Sequence, residues 1–556
     1  MRRTRTLTTT AALVSGGLLL SFGATAPSSS AVPDVDGTEK SNTKSERRSA
    51  IHESAAKGGK KDPKFDFADT VKAKAVMDRL EDFQEIADAN DGNRAVGTPG
   101  YEASGKYVEQ TLRAAGYATK RQYFSAEQYS VDAFSLTVTG VPLEPIVMSY
   151  SSSTPEGGVT GDLVAPADPL GCDAAAWDGV DAAGGIAVVS RGACSFAEKA
   201  AAAGAADAAG VIVYNNTEGA LNGTLGGTLE GSAPAVGVTQ AEGQSLLDAM
   251  AQGPVEATLN IQAAVSTTRT FNVIAQTRTG DTDNVVMLGA HLDGVEDGAG
   301  INDNGSGSAA ILETAVQLAK ATGQDKGRST TTSAVKGAKD KAKNKGPKNK
   351  CKKDKGPKNK GLKKCKKPKP QGPKMELENA VRFAWWGAEE IGLVGSTHYV
   401  DNIVENNPER LDQISSYLNF DMIGSINYTV GVYDADESTY EAPVEVPEGS
   451  AELEAVFTDY FDDNGQPWVD SEYSGRSDYQ AFIENGVPAG GLFSGADAIK
   501  TEEEAEVFGG TAGRALDPNY HSANDDIDNI SRAALEIFVP AIAHSVQDLA
   551  AKQRRR

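Results

Sequence analysis

Histidine and cysteine are scarce in this chain of 556 residues, with five of the first and four of the second. Five histidines leave few places where imidazole chemistry can be built, and four cysteines allow at most two bridges. No internal apolar run is long enough to cross a bilayer, which excludes an internal membrane-spanning helix. Net positive charge is also absent. The balance is −23, which argues against nucleic acid as a partner. The apolar fraction of 39% with 24% charged residues is that of a soluble globular protein. The length exceeds what one core ordinarily supports, so two or more domains are expected.

The N-terminus departs from that texture. Arg2, Arg3 and Arg5 precede an apolar run from Ala11 to Ala26, and small residues follow up to Ala31. This is the three-part pattern of a secretory signal peptide, and residues 1–31 are expected to be removed. Cleavage after Ala31 fits better than after Ala26, because Pro27 would otherwise begin the mature chain. An exported, extracellular protein can form disulfides. The local pairs Cys172–Cys194 and Cys351–Cys365 are the simplest connectivity, and the two other pairings stay open. Residues 32–66 read as a disordered leader or propeptide.

The charge is divided. Residues 326–374 hold twenty Lys and Arg against two acids, a net of +18, which leaves −41 on the rest. Gly-Pro-Lys-Asn-Lys occurs at 346–350 and again at 356–360. Low complexity and like charge prevent a packed core there. A solvated surface loop is the simpler reading. A tether to an anionic surface, such as a cell-wall polymer, is the other.

Apolar residues at Val71, Val76, Leu80, Phe83 and Ile86 predict a helix, and a second is predicted from Ser104 to Ala115, ending at Gly116. From 131 to 262, short apolar strands alternate with Gly/Ala-rich turns, and Ser195–Ala206 reads as a helix. This predicts a small β-rich module inserted after a first peptide segment at 67–130. From 263 to 550 the order becomes strand, loop, helix, repeated. Strands are predicted at Asn284–Leu288, Ala380–Trp385, Ser416–Asn419 and Gly490–Phe493. Helices are predicted at Ser306–Ala321, Ile391–Val400, Ala451–Phe461, Ser477–Asn485 and Arg532–Leu549. The expected fold class is α/β, a mixed sheet flanked by helices.

Two of the five histidines stand in polar loops: His291 and His521. His398 and His544 fall in helices and read as packing or surface residues. His291 follows a strand directly, and Asp293 two residues on is placed to accept the other ring N–H. Asp303 sits in Gly300-Ile-Asn-Asp303-Asn-Gly-Ser-Gly307; alone it reads as a helix cap, but a carboxylate can also bridge two ions. An apolar strand ends in the adjacent acids Glu389 and Glu390, whose mutual repulsion a cation would relieve. Asp421 ends another strand. Together His291, Asp303, Glu390, Asp421 and His521 form a coherent oxygen and nitrogen donor set for zinc.

These segments, in this order, resemble the secreted di-zinc leucyl aminopeptidases of bacteria. The resemblance covers about 67–130 and 265–550. It implies that His291 and Asp421 hold one Zn2+, Glu390 and His521 a second, and that Asp303 bridges them. It further implies Glu389 as general base, Tyr520 as donor to the oxyanion, and Asp293 as the acid behind His291. Arg476 matches the arginine whose carbonyl helps bind the substrate's free amino group. Met422 and Phe493 match residues lining the pocket for a large hydrophobic first side chain. The module at 131–262 resembles a protease-associated domain through Gly171-Cys172-Asp, the segment from Val188 to Lys199 and Gly210–Asn215, with Cys172 and Cys194 as its disulfide. Many secreted relatives have cysteines where Asn519 and Asn524 stand, so this loop must be held differently.

The implied activity is removal of the N-terminal residue from a peptide or protein by a monomeric enzyme. The alternatives are a carboxypeptidase or dipeptidase on the same scaffold, and a non-catalytic receptor-like binding protein. The first requires cationic groups for a substrate carboxylate, and only Arg476 is a nearby candidate. The second requires lost metal ligands, and all five are present.

Overall fold

The computed structural model describes residues 51–52, 65–324 and 374–552. The expected export signal, almost all of the expected leader, and the lysine-rich segment up to residue 373, with Cys351 and Cys365, lie outside those residues. A two-residue strand, β1 (Ile51–His52), is followed by helices α1 (Ala73–Asp88) and α2 (Pro99–Ala115). Along α1, Val76, Met77, Leu80, Phe83 and Ala87 are buried, the stripe expected from their three- and four-residue spacing. α2 starts on Thr98, whose hydroxyl accepts the Tyr101 N–H at 3.3 Å, and stops at Gly116 with φ +100°.

The middle of the chain contributes β2 (Thr119–Val138), β3 (Val141–Leu143), β4 (Ile146–Val147), β5 (Val159–Val164), β6 (Ile186–Ser190), α3 (Phe196–Ala205), β7 (Gly210–Tyr214), β8 (Ala235–Val238), α4 (Gln240–Met250) and β9 (Glu256–Gln276). β5, β6, β7 and β8 run parallel in that order, with β4 antiparallel at the edge. Side chains alternate across these strands. Ala187, Val189, Val211 and Val213 face one core, and Ile186, Val188, Ile212 and Val236 face another. Both α3 and α4 begin with reciprocal capping boxes, Ser195 with Glu198 and Thr239 with Glu242. α4 lies where the strand-and-turn texture predicts no helix, so the module is less purely β than expected. Cys172 and Cys194 are disulfide-bonded.

β2 and β9 pair antiparallel from Thr119 opposite Ala275 to Val138 opposite Ala257. Both strands run through the expected module limits at 131 and 262. One end of β9 pairs with β5 of the module, and the other pairs with the large sheet described next. A strand that changes neighbours without changing composition leaves no boundary in the sequence.

The remainder is β10 (Asp281–His291), α5 (Gly307–Thr322), β11 (Asn379–Trp386), α6 (Val394–Asn406), β12 (Ile414–Asp421), β13 (Gly431–Tyr433), α7 (Ser450–Asn464), β14 (Trp468–Ser471), α8 (Gln480–Glu484), β15 (Ala489–Phe493), α9 (Glu502–Phe508) and α10 (Arg532–Ala550). The strand order is β1-β14-β13-β15-β12-β10-β11-β9. β10 is parallel to both β11 and β12, and β12 to β15; β11–β9 and β13–β15 are antiparallel, so the sheet is mixed. Val286 and Leu288 of β10 enter a core with α1, α5 and α10, while Met287 enters the opposite core with Tyr399 and Phe482. Helices therefore cover both faces. α6 starts later than expected because Gly392 and Leu393 take φ of +112° and +58°. Among the described residues, no helix is long and apolar enough to cross a membrane.

Candidate metal centre

Strands β12, β10 and β11 lie side by side, and their carboxyl ends deliver the first donors. β10 ends on His291, β12 ends on Asp421, and β11 leads from Trp386 into Glu389 and Glu390. The crevice at the carboxyl edge is where an α/β sheet exposes side chains that its own ladder does not occupy. Asp303 enters from the loop between β10 and α5, and His521 from the loop before α10.

The five predicted donors converge. His291 Nε2 lies 3.1 Å from Asp421 Oδ1 and 3.2 Å from Asp303 Oδ1. His521 Nε2 lies 3.1 Å from Asp303 Oδ2 and 2.9 Å from Glu390 Oε2. Glu389 Oε2 is more distant, 3.8 Å from His291 Nε2. Asp303 thus turns a different oxygen toward each histidine. All of these side chains are buried except His521, which is 40% exposed.

Buried carboxylates at this density need positive charge. Burial pushes the Glu390 carboxyl up to about 8, with Asp303 adding to the effect. Burial alone would lower both imidazoles. For His291, Glu389 and Asp421 reverse this and hold its pKa well above the ordinary value. For His521, the hydrogen bonds to Asp303 and Glu390 raise it to about 10. In a metal-free cluster, protons occupy the places cations would take. Glu390 Oε1 is buried with no hydrogen-bond partner, an orphaned acceptor that suits a cation. Imidazole and carboxylate donors of this kind fit a borderline divalent metal.

Several positioning groups escape a reading of motifs. The buried guanidinium of Arg94 donates to the carbonyls of Leu292 (2.6 Å), Ala299 (2.8 Å) and Gly300. The Asp525 carboxylate accepts the N–H groups of Asn302 (2.8 Å) and Asp303 (3.0 Å). Together they hold the Asp303 loop from two sides. Gly307 lets the start of α5 touch β12, since a Cβ there would meet the Phe420 carbonyl at 2.1 Å. Ser477 donates to Asp421 Oδ2 at 2.6 Å and accepts from Asn419 Nδ2 at 2.8 Å.

The expected role of Asp293 needs correction. His291 Nδ1 lies 3.0 Å from the Asp293 backbone carbonyl, not from its carboxylate. The carboxylate instead accepts the N–H groups of Glu389 and Glu390, each at 3.3 Å. The two N–H groups of the Glu389–Glu390 turn offer this buried carboxylate hydrogen bonds strengthened by its charge. The His521 loop is held by Asn519, whose amide donates to Asn529 Oδ1 at 2.8 Å and whose N–H reaches Asp517 at 2.9 Å. Met422 follows Asp421 and is buried, and Phe493 is the cross-strand partner of Asp421. Arg476 Nη2 donates to the Tyr520 hydroxyl at 3.3 Å. His398 stacks on Phe124 and His544 packs on Tyr460, as expected of helix residues outside the site.

The chain matches the model of peptidase family M28 at residues 272–335 and 363–546, and that of the PA domain at 159–246. It is 41% identical over 483 residues to the probable lipoprotein aminopeptidase LpqL of Mycobacterium tuberculosis, covering 86% of this chain and 84% of that protein. It is 38% identical over 486 residues to leucine aminopeptidase 2 of Trichophyton tonsurans, covering 87% and 86%. The aminopeptidase from Aneurinibacillus sp. strain AM-1 superposes with a TM-score of 0.64 at 26% identity, covering 87% of this chain and 95% of that one. Fold, donor set and relatives together define a hydrolase of the metallo-aminopeptidase class. The chain belongs to peptidase family M28 and carries a PA domain.

Proposed function

We propose that the protein is an extracellular di-zinc aminopeptidase that removes large hydrophobic N-terminal residues, such as Leu, Met or Phe, from peptides with a free N-terminus. The observation that carries this reading is the pair of contacts made by Asp303, with one carboxylate oxygen at 3.2 Å from His291 and the other at 3.1 Å from His521. A bridging carboxylate needs that arrangement. His291 and Asp421 would complete one zinc site, Glu390 and His521 the other.

Held by those residues, zinc would supply polarisation of the scissile carbonyl and a lowered pKa for water in the site. Glu389 takes a proton from the attacking water and returns it to the leaving amine. Its Oε2 lies 3.8 Å from His291 Nε2, beyond hydrogen-bond distance. Burial, together with Asp421, Glu390 and Asp478, raises the pKa of its carboxyl well above the usual carboxylate range, although His291 opposes this. The Tyr520 hydroxyl donates to the carbonyl oxygen as charge develops. The Arg476 carbonyl accepts from the substrate's amino group. Met422 and Phe493 receive its first side chain.

The N-terminal export pattern supports an extracellular site of action, as does the lipoprotein name of the Mycobacterium relative. A strongly basic segment at 326–374 on an otherwise acidic chain suits an anionic cell-wall polymer. The functional reading is tested with a panel of aminoacyl p-nitroanilides, with and without a zinc chelator. Leu, Met and Phe reporters should be cleaved fastest, N-acetylated Leu should be inert, and chelation should abolish turnover. Equal cleavage of the blocked reporter would contradict an aminopeptidase.

A further inference from the structure

The Tyr520 ring is fixed but its hydroxyl rotor is not. The ring stacks on His521 with centroids 3.8 Å apart, and the Tyr520 N–H reaches the Asp517 carbonyl at 3.3 Å. Neither contact decides where the O–H hydrogen points. One further neighbour does. Arg476 Nη2 lies 3.3 Å from the hydroxyl oxygen, and Arg476 Nη1 lies 3.2 Å from Asp497 Oδ1. A guanidinium has donors only, while a phenol has one hydrogen and can also accept. The hydroxyl must therefore accept from Arg476, and its own hydrogen is released for a different acceptor. Without Arg476, the same hydroxyl can accept from water on that side and spend its hydrogen on solvent.

We propose that Asp497 and Arg476 form a positioning pair that fixes the Tyr520 hydroxyl as a donor toward the reacting carbonyl. This rests on the reading of Tyr520 as the oxyanion donor and adds a role for the Arg476 side chain that is separate from its backbone carbonyl. Side-chain substitution at Arg476 leaves that carbonyl in place, so substrate capture is preserved while stabilisation of the developing charge is lost. Asp497 and Arg476 are largely exposed, with side-chain exposures of 62% and 57%, so variants at both positions retain the fold.

The test is a double-mutant cycle on the zinc-loaded full chain, using Leu-p-nitroanilide. Y520F should lower kcat by about 100-fold, as expected for loss of one oxyanion donor. R476M should lower kcat by about tenfold, with KM changed less than about twofold. R476K, which keeps a donor, should recover part of that loss, and D497N should cost less than R476M. Y520F/R476M should be no slower than Y520F alone. Binding of a leucine phosphonic acid, a tetrahedral mimic, should weaken in R476M but not further in the double variant. Losses that multiply in the double variant would overturn the inference, because Arg476 would then act on substrate directly. Wild-type kcat in Y520F would remove the reading of Tyr520 itself, and the inference with it. Zinc content unchanged in all variants supports the pair as acting through Tyr520; zinc loss in R476M would overturn it.

Discussion

In the module, the polar groups around the ends of the parallel strands β6 and β7, with Lys199 of α3 among them, are spent on the module's own backbone, side chains and disulfide. The Lys199 ammonium is fully buried, donates to the carbonyls of Leu170 (2.8 Å) and Gly192 (3.0 Å), and rests 3.2 Å from Cys194 Sγ. Asn215, just past β7, accepts from Arg191 and donates toward Gly219 and Ala220. In the large sheet, β10, β11 and β12 also run parallel, but they lead into carboxylates and an imidazole that face one another. One set of strand ends is complete by itself. The other is electrostatically incomplete without cations. The layers are alike, so the chemistry lies in the side chains that leave the strand ends.

This contrast is broken most severely at Glu389. E389Q should reduce kcat by about 10³-fold while zinc content stays at the wild-type level. Near-normal turnover would remove the general-base assignment. Metal removal is read on stability as well as on turnover. Chelation should destabilise the fold, seen as a lower melting temperature, by up to about 4 kcal/mol for each ion held at a thousandfold excess over Kd. Stability of the metal-free protein should also fall with rising pH. Glu390 and His521 both bind protons more tightly folded than unfolded. Their contribution is therefore complete below about 4.5 and 6.5, and is lost as pH rises through about 8 and about 10. The metal-loaded protein should show little of this slope, since ions replace the protons. Equal slopes with and without metal, read by thermal melts from pH 5 to 10, would contradict the account.

Changes in the module should act on stability alone. Replacing Cys172 and Cys194 by Ala opens a bridge with a sequence separation of 22 and should cost the module about 3 kcal/mol, with kcat on a small reporter unchanged. K199M should cost about 2 kcal/mol, because two buried carbonyls lose their donor. A large kcat effect from either would show that the module shapes the reaction itself.

His291, Glu390 and Asp421 are legible because each ends or closely follows an apolar strand, Asp303 because it sits in a Gly-rich loop, and His521 because few histidines compete with it and it falls in a polar loop. The network around them was not legible, because its partners are remote. Arg94 reaches carbonyls about two hundred residues away, and Asp525 binds amides of Asn302 and Asp303. Backbone acceptors and donors carry no residue identity, so no motif marks them. Asp293 shows the same limit: its spacing from His291 predicts a carboxylate contact, whereas the carbonyl makes that contact and the carboxylate binds the Glu389–Glu390 turn. The long β2–β9 pair was hidden for a different reason, since its pairing changes along its length while its composition does not.

We propose that Asp303 joins two metal positions. Zinc per chain, measured by inductively coupled plasma mass spectrometry on dialysed protein, tests it directly. Two ions are expected in the wild type and one in H521A, with the remaining ion held by His291, Asp303 and Asp421. A single ion in the wild type that survives unchanged in H521A would contradict it.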